Sequence, residues 1–300
     1  MKSVLLTGAT GLIGRAAVRP LLERGFTVYA LKRPSATPAI ADAAEVRWLD
    51  ADLQDPAAVA RACAAARATH LLHFAWRTSG DYRQANDNFS LLAASLELLR
   101  RFADNGGRRA VAAGTCFEYA FSAAPLREDA PLAPATPYAH CKCHLRELAE
   151  LFCAANGLSF AWGRIFFVYG PGESPARLGG KLLANFRAGQ PVTIPSTPLA
   201  RDYVYTRDVG GAFAALLDGE VAGAVNVGSG APVTLRDFAL AFARPLGAEA
   251  LLHEDPGVDV SGQPPLIAAD VGRLRDEVGY ACRYSLADAV RELVAGEPAF

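Results

Sequence analysis

Three glycines, Gly8, Gly11 and Gly14, recur every third residue in Thr7-Gly8-Ala9-Thr10-Gly11-Leu12-Ile13-Gly14, directly after the apolar run Val4-Leu5-Leu6. Behind them Ala17, Val18, Leu21 and Leu22 recur at helical spacing. Glycines at such a strand-to-helix turn allow a tight bend, close approach of a pyrophosphate to the backbone, and close packing of helix on strand. The helix N-terminus adds free N–H groups and a partial positive charge. The sequence therefore predicts dinucleotide binding through Gly8, Thr10, Gly11, Leu12, Ile13 and Gly14.

The same rhythm continues. Short apolar runs at Val28–Leu31, Val46–Leu49, His70–Ala75, Arg109–Ala113 and Phe160–Arg164 alternate with helical patterns. Strands alternating with helices predict an α/β fold built on a doubly wound parallel Rossmann sheet, whose ligands lie at the strand C-termini. From about Pro171, glycine, proline and polar residues increase and the strands shorten. We expect a dinucleotide-binding domain over residues 1–168 and a smaller, interleaved C-terminal substrate-binding domain over 169–300. Residues from about 202 to 230 are expected to rejoin the first domain, because Asp202–Leu217 reads as a strand followed by a helix.

A formal net charge of −1 over 300 residues leaves no basic field for nucleic acid and no polybasic run for a membrane surface. The apolar start is broken at Gly8 before a signal-peptide core forms, and no uncharged apolar stretch reaches the length of a membrane span. The six cysteines contain no CxxC pair, which fits a reducing, cytoplasmic location better than a disulfide framework. His140-Cys141-Lys142-Cys143-His144 superficially suggests zinc, but on a helix the cysteines leave the face shared by the histidines, so no metal is expected.

Two features point to chemistry. Tyr138 and Lys142, four residues apart, open an apolar-periodic helix and so share a face. An ammonium close to a phenol stabilises the phenolate, giving a proton donor and acceptor usable near neutral pH. At the end of the second strand Lys32-Arg33 stand where a carboxylate would select NAD, and Arg15 opens the first helix. Cations there match a ribose 2′-phosphate, predicting NADPH, with NAD as the alternative if the pair is merely solvated.

The GxxGxxG loop, Asp52-Leu53, Phe74-Ala75, Tyr138-x-x-x-Lys142, Tyr169-Gly170-Pro171, Arg201-Asp202-Tyr203-Val204-Tyr205 and Asn226-Val227-Gly228-Ser229-Gly230 occur in this order along the chain. In that series the chain resembles the extended, nucleotide-sugar-modifying branch of the short-chain dehydrogenase/reductase superfamily. The resemblance implies that Asp52, Leu53, Phe74 and Ala75 line the cofactor site. It implies that Thr115 binds the reacting oxygen, Tyr138 is the acid/base, and Lys142 also holds the nicotinamide ribose. It places Arg177, Leu178 and Arg201 against a nucleotide diphosphate and implies a homodimer through the helices carrying Asn88 and Tyr138. Two positions depart from the pattern. Cys116-Phe117 replace the acid pair of the 4,6-dehydratases, and Phe167 replaces an Asn that helps bind the sugar diphosphate. The resulting expectation is an NADPH-dependent ketoreductase of a nucleotide-linked 4-keto-6-deoxyhexose. The alternative is an NAD-dependent nucleotide-sugar 4-epimerase, and an inactive dinucleotide sensor is disfavoured by the presence of both Tyr138 and Lys142.

Overall fold

The first six strands are β1 (Ser3–Thr7), β2 (Thr27–Lys32), β3 (Arg47–Asp50), β4 (His70–His73), β5 (Arg109–Thr115) and β6 (Ser159–Ile165). They are short and rich in β-branched, aromatic and small apolar residues. In this computed structural model, which describes residues 2–38, 40 and 42–296, all six pair in parallel. Residues 1 and 300, the outer ends of the two expected domains, lie outside the described residues, as do 39, 41 and 297–299.

The seventh strand of the sheet comes from far along the chain. Gly223–Val227 pairs in parallel with β6, giving the order Gly223–Val227, β6, β5, β4, β1, β2, β3. The chain reverses its winding between β1 and β4, the switch point at which an open α/β sheet leaves a crevice for ligand. The doubly wound sheet expected from the alternation is present.

Successive side chains of a strand point to opposite faces. In β1, Val4 and Leu6 enter one core with Val18, Leu21 and Phe213, while Leu5 enters another with Leu71, Leu98 and Trp162. All three β1 residues are almost fully buried, because helices cover both faces. On one face lie α1 (Gly14–Glu23) and a later helix, Thr206–Asp218; on the other lie α2 (Pro56–Ala66), α3 (Asp87–Asp104) and α4 (Pro137–Ala155).

A third core, including Phe186, Phe238, Phe242 and Val290, belongs to the C-terminal part of the chain. Its helices include α5 (Leu178–Arg187), Leu235–Ala243 and Leu286–Ala295. The strand Phe167–Tyr169 leaves the end of β6 and pairs with Tyr203–Tyr205, carrying the chain from sheet to lobe. Among the described residues, no helix is long and apolar enough to cross a membrane.

Candidate active site

Parallel strands bring the loops after β1 to β6 to one edge of the sheet. Gly8 sits there with φ +75°, a conformation side chains disfavour, and a Cβ on it would lie 2.8 Å from the Ala75 nitrogen. At Gly14 a Cβ would lie 2.1 Å from the Gly8 carbonyl oxygen. Positions 8 and 14 are therefore closed to any side chain. No side chain caps the N-terminus of α1 and no acidic residue lies in its first turn. A bare helix N-terminus above a glycine turn fits a dinucleotide pyrophosphate. Thr10, Leu12 and Ile13 are half-buried around it, and Gly11 is exposed.

The remaining expected cofactor contacts occupy the same edge. Asp52 and Leu53 follow β3, with Asp52 exposed and accepting the Gln54 N–H at 2.9 Å. Leu53 packs onto the core beneath. Phe74 and Ala75 leave β4 earlier than the apolar run suggested, because the Thr7 hydroxyl takes the Ala75 N–H at 3.1 Å.

The three cations matched to a 2′-phosphate differ in their surroundings. Lys32 pairs with Asp50 on β3, and Arg33 is exposed beside it. Arg15 donates to the Gly11 carbonyl at 3.1 Å and lies against Gly172 in the C-terminal lobe.

Thr115 is the last residue of β5, and Tyr138 stands in the first turn of α4. That helix starts where it does because the Thr136 hydroxyl caps it, accepting the Ala139 N–H at 3.2 Å, with Pro137 at its first position. The Tyr138 N–H, which has no partner within the helix, donates to the Arg83 carbonyl at 3.2 Å. One turn deeper, the Lys142 ammonium donates to the Ala113 carbonyl at 2.9 Å and lies 3.8 Å from the centre of the Trp76 ring.

The expected electrostatics need correction. Burial dominates the phenol and raises its pKa, the neighbouring Tyr82 raises it further, and the Thr115 side chain pulls it down. Burial likewise pushes Lys142 down to about 7, while Glu118 holds it up. Tyr138 is thus a buried, neutral phenol, and the ammonium is held by a carbonyl and an indole face.

Behind the site stands Glu118, a functional residue that no motif of the sequence marks. Its carboxylate accepts from the Thr115 N–H at 2.8 Å, the Trp162 indole N–H at 2.9 Å and the Arg164 guanidinium at 2.8 Å. It is a brace for Thr115. On the other side of the crevice the neutral ring of His73 links Thr7 to Ser95 at 2.7 and 2.9 Å. Burial, with Lys142 nearby, depresses His73 to about 3.

The surface next to Thr115 is aromatic. Phe117 contacts Phe121 and Phe167 with centroids at 6.3 and 6.0 Å, and Phe167 contacts Tyr203 at 5.9 Å. The Arg83 guanidinium covers Phe117 at 5.4 Å and that of Arg201 lies 6.0 Å from Phe167. Asp202 does not pair with Arg201. It accepts backbone N–H groups of Ser229, Gly230 and Ala269, and Arg201 instead donates to the Ala200 and Pro264 carbonyls. Arg177 precedes α5 and Leu178 is its first residue. Beside them lies Glu173, a residue without sequence signal, raised to about 7 by burial against the opposing pull of Arg177.

A glycine turn at the switch point of a doubly wound sheet, with threonine, tyrosine and lysine on the same edge, defines an NAD(P)-dependent enzyme of the extended short-chain dehydrogenase/reductase superfamily. The family model described as NAD dependent epimerase/dehydratase matches residues 4–228, and the chain belongs to that family. It is 31% identical over 255 residues to a 3-diazoavenalumate denitrifying reductase of a Streptomyces species, covering 82% of each chain. It is 30% identical over 306 residues to dTDP-6-deoxy-L-talose 4-dehydrogenase (NAD(P)(+)) of Kitasatospora kifunensis, covering 97% of this chain and 94% of the relative. Among solved structures, the UDP-glucose 4-epimerase of Thermus thermophilus in complex with NAD matches 98% of both chains with TM-score 0.82 at 27% identity.

Proposed function

We propose that the protein reduces the keto group of a nucleotide-linked 4-keto-6-deoxyhexose, with NADPH as the preferred cofactor. The observation that carries this reading is the grouping of Thr115, Tyr138 and Lys142 beside the glycine turn, with Phe117 where a dehydrating carboxylate would stand. When bound, the reduced nicotinamide supplies a hydride. The residues of the chain manage the oxygen. A buried phenol held neutral at working pH is a donor, so Tyr138 delivers its proton to the carbonyl oxygen as negative charge develops there. The Thr115 hydroxyl donates to the same oxygen, and the Lys142 ammonium stabilises the phenolate left behind and holds the cofactor ribose. Glycines 8, 11 and 14 with the α1 N-terminus hold the pyrophosphate.

The relative that acts on dTDP-6-deoxy-L-talose supports a deoxysugar, as does the aromatic wall of Phe117, Phe121 and Phe167, which suits a methyl group better than a hydroxyl. Arg177, Leu178 and Arg201 are assigned to the diphosphate and nucleoside. Exposed Phe89 on α3, and Leu148 and Leu151 on α4, support a homodimer through these helices. Six unpaired cysteines support a cytoplasmic location.

The test supplies nucleotide-linked 4-keto-6-deoxy sugars with NADPH or NADH and follows cofactor absorbance. Expected is turnover, lost by about 10²–10⁴-fold in Tyr138→Phe with cofactor binding retained. The second reading, a 4-epimerase, is favoured by the fold match to the NAD complex of such an enzyme. It replaces the first if the purified protein carries one NAD per chain and isomerises substrate with no added cofactor.

A further inference from the structure

Lys142 is almost completely buried, yet among the described residues no carboxylate pairs with its ammonium. Glu118, the carboxylate whose charge holds it up most, spends its oxygens on Thr115, Trp162 and Arg164. The ammonium donates to the Ala113 carbonyl and faces aromatic rings, with the Trp76 centroid at 3.8 Å and that of Trp162 at 5.8 Å. Trp76 follows Phe74 and Ala75 in the loop leaving β4 and packs on the core that α4 also covers.

The indole is itself fixed. Its N–H donates to the Asn88 side-chain oxygen at 2.8 Å. The Asn88 amide is buried and donates in turn to the Tyr82 and Ala85 carbonyls at 2.7 and 2.8 Å. Tyr82 and Trp76 both pack edge-on against Tyr138, with centroids at 5.1 and 6.3 Å. One side chain thus lies against both the phenol and the ammonium and is anchored through a third residue.

We propose that Trp76 is a positioning residue for the reaction: its ring face holds the Lys142 ammonium in the dry site beside Tyr138, and Asn88 sets the angle of that ring. A cation over an indole face is attracted by the ring's quadrupole, most strongly where water is excluded. The inference rests on the reading of Lys142 as the working cation, but its test needs no substrate.

The chain contains four lysines, Lys2, Lys32, Lys142 and Lys181. Protein labelled with ¹³C at lysine Cε therefore gives four resonances, and Lys142→Met identifies the one of interest. Its titration reports the ammonium directly, under the influence of Glu118 from the turn after β5, Cys141 on α4 and His73 on β4. Trp76→Leu should lower the midpoint by about one pH unit, a tenfold loss in proton affinity, and Trp76→Phe by less. A folded Trp76→Leu protein that titrates as the native one does overturns the proposal. Should Trp76→Leu fail to fold, fluorotryptophan decides, since fluorination weakens the ring face and hardly alters its shape. It should lower the midpoint in the native background and have little effect in Trp76→Phe; equal shifts in both backgrounds overturn the assignment to Trp76. An unchanged Lys142 midpoint with active Tyr138-dependent reduction removes the role of Trp76 alone. The expected titration with no reduction of any keto-sugar removes the substrate reading and leaves the Trp76 contact standing.

Discussion

Glu118 and Arg164 form an ion pair at 2.8 Å with side chains 0% and 2% exposed. Beneath an active site, such a pair orders the groups above it at a high desolvation cost. Glu118 also takes the Thr115 N–H, so the pair fixes the end of β5. Removing one partner strands the other as an uncompensated buried charge. Glu118→Gln and Arg164→Met should each destabilise by about 3–5 kcal/mol, and the double variant by less than the sum. Urea unfolding of the four proteins measures this; additive losses would mean that the residues act separately.

Phe117 and Phe167 lie with ring centroids 6.0 Å apart and form part of the apolar wall assigned to the proposed sugar site. Phe117→Ala should reduce the preference for a 6-deoxy over a 6-hydroxy keto-sugar by about tenfold, within the range of one methyl-sized contact. The comparison is kcat/KM for the two substrates in both proteins. Equal preference in native and variant enzymes would place the C6 group elsewhere.

Lys32 and Arg33 differ in their surroundings: Asp50 pairs with Lys32, and Arg33 stands exposed at the same strand end, free to meet the 2′-phosphate of the proposed cofactor. Arg33→Ala should weaken NADPH binding about tenfold, the scale of one charge-assisted contact, and leave NADH binding unchanged. Lys32→Met should do less. Titration calorimetry with both cofactors gives the ratio, and an NADPH-to-NADH ratio unmoved by Arg33→Ala removes the arginine from the phosphate site.

The sheet was legible in the sequence because local pattern dictates it. Val4-Leu5-Leu6 is buried whichever face is taken, and three glycines stop it at one place. The spacing of Tyr138 and Lys142 likewise survives folding, since four residues on a helix always share a side. Their environment was not legible. The ammonium faces Trp76, sixty-six residues away, and burial sets the phenol's proton affinity. Glu118 shows the same limit: no local motif marks it, and only packing against Trp162 and Arg164 makes it a brace. The contact of Arg15 with Gly172, far along the chain, was likewise not legible from its place at the start of α1.

His73 should make the protein sensitive to acid, and its hydrogen bonds give the sign. The Ser95 hydroxyl donates to the Leu91 carbonyl at 2.6 Å, so it accepts from His73 Nε2–H. The Thr7 hydroxyl accepts the Ala75 N–H and donates to Nδ1. Every partner is used by the neutral ring, and a second ring proton would meet the Thr7 hydrogen. The folded value, about 3, lies below the ordinary 6.5, so between these the unfolded chain binds more protons. The stability from the neutral ring is therefore complete above pH 6.5 and is lost as pH falls through that window, by up to about 1.4 kcal/mol per pH unit. His73→Gln keeps a donor and an acceptor but cannot titrate, so its unfolding free energy should fall less steeply between pH 6.5 and 4.5. Parallel pH profiles for the two proteins would show that the ring between Thr7 and Ser95 takes up a proton without loss of fold.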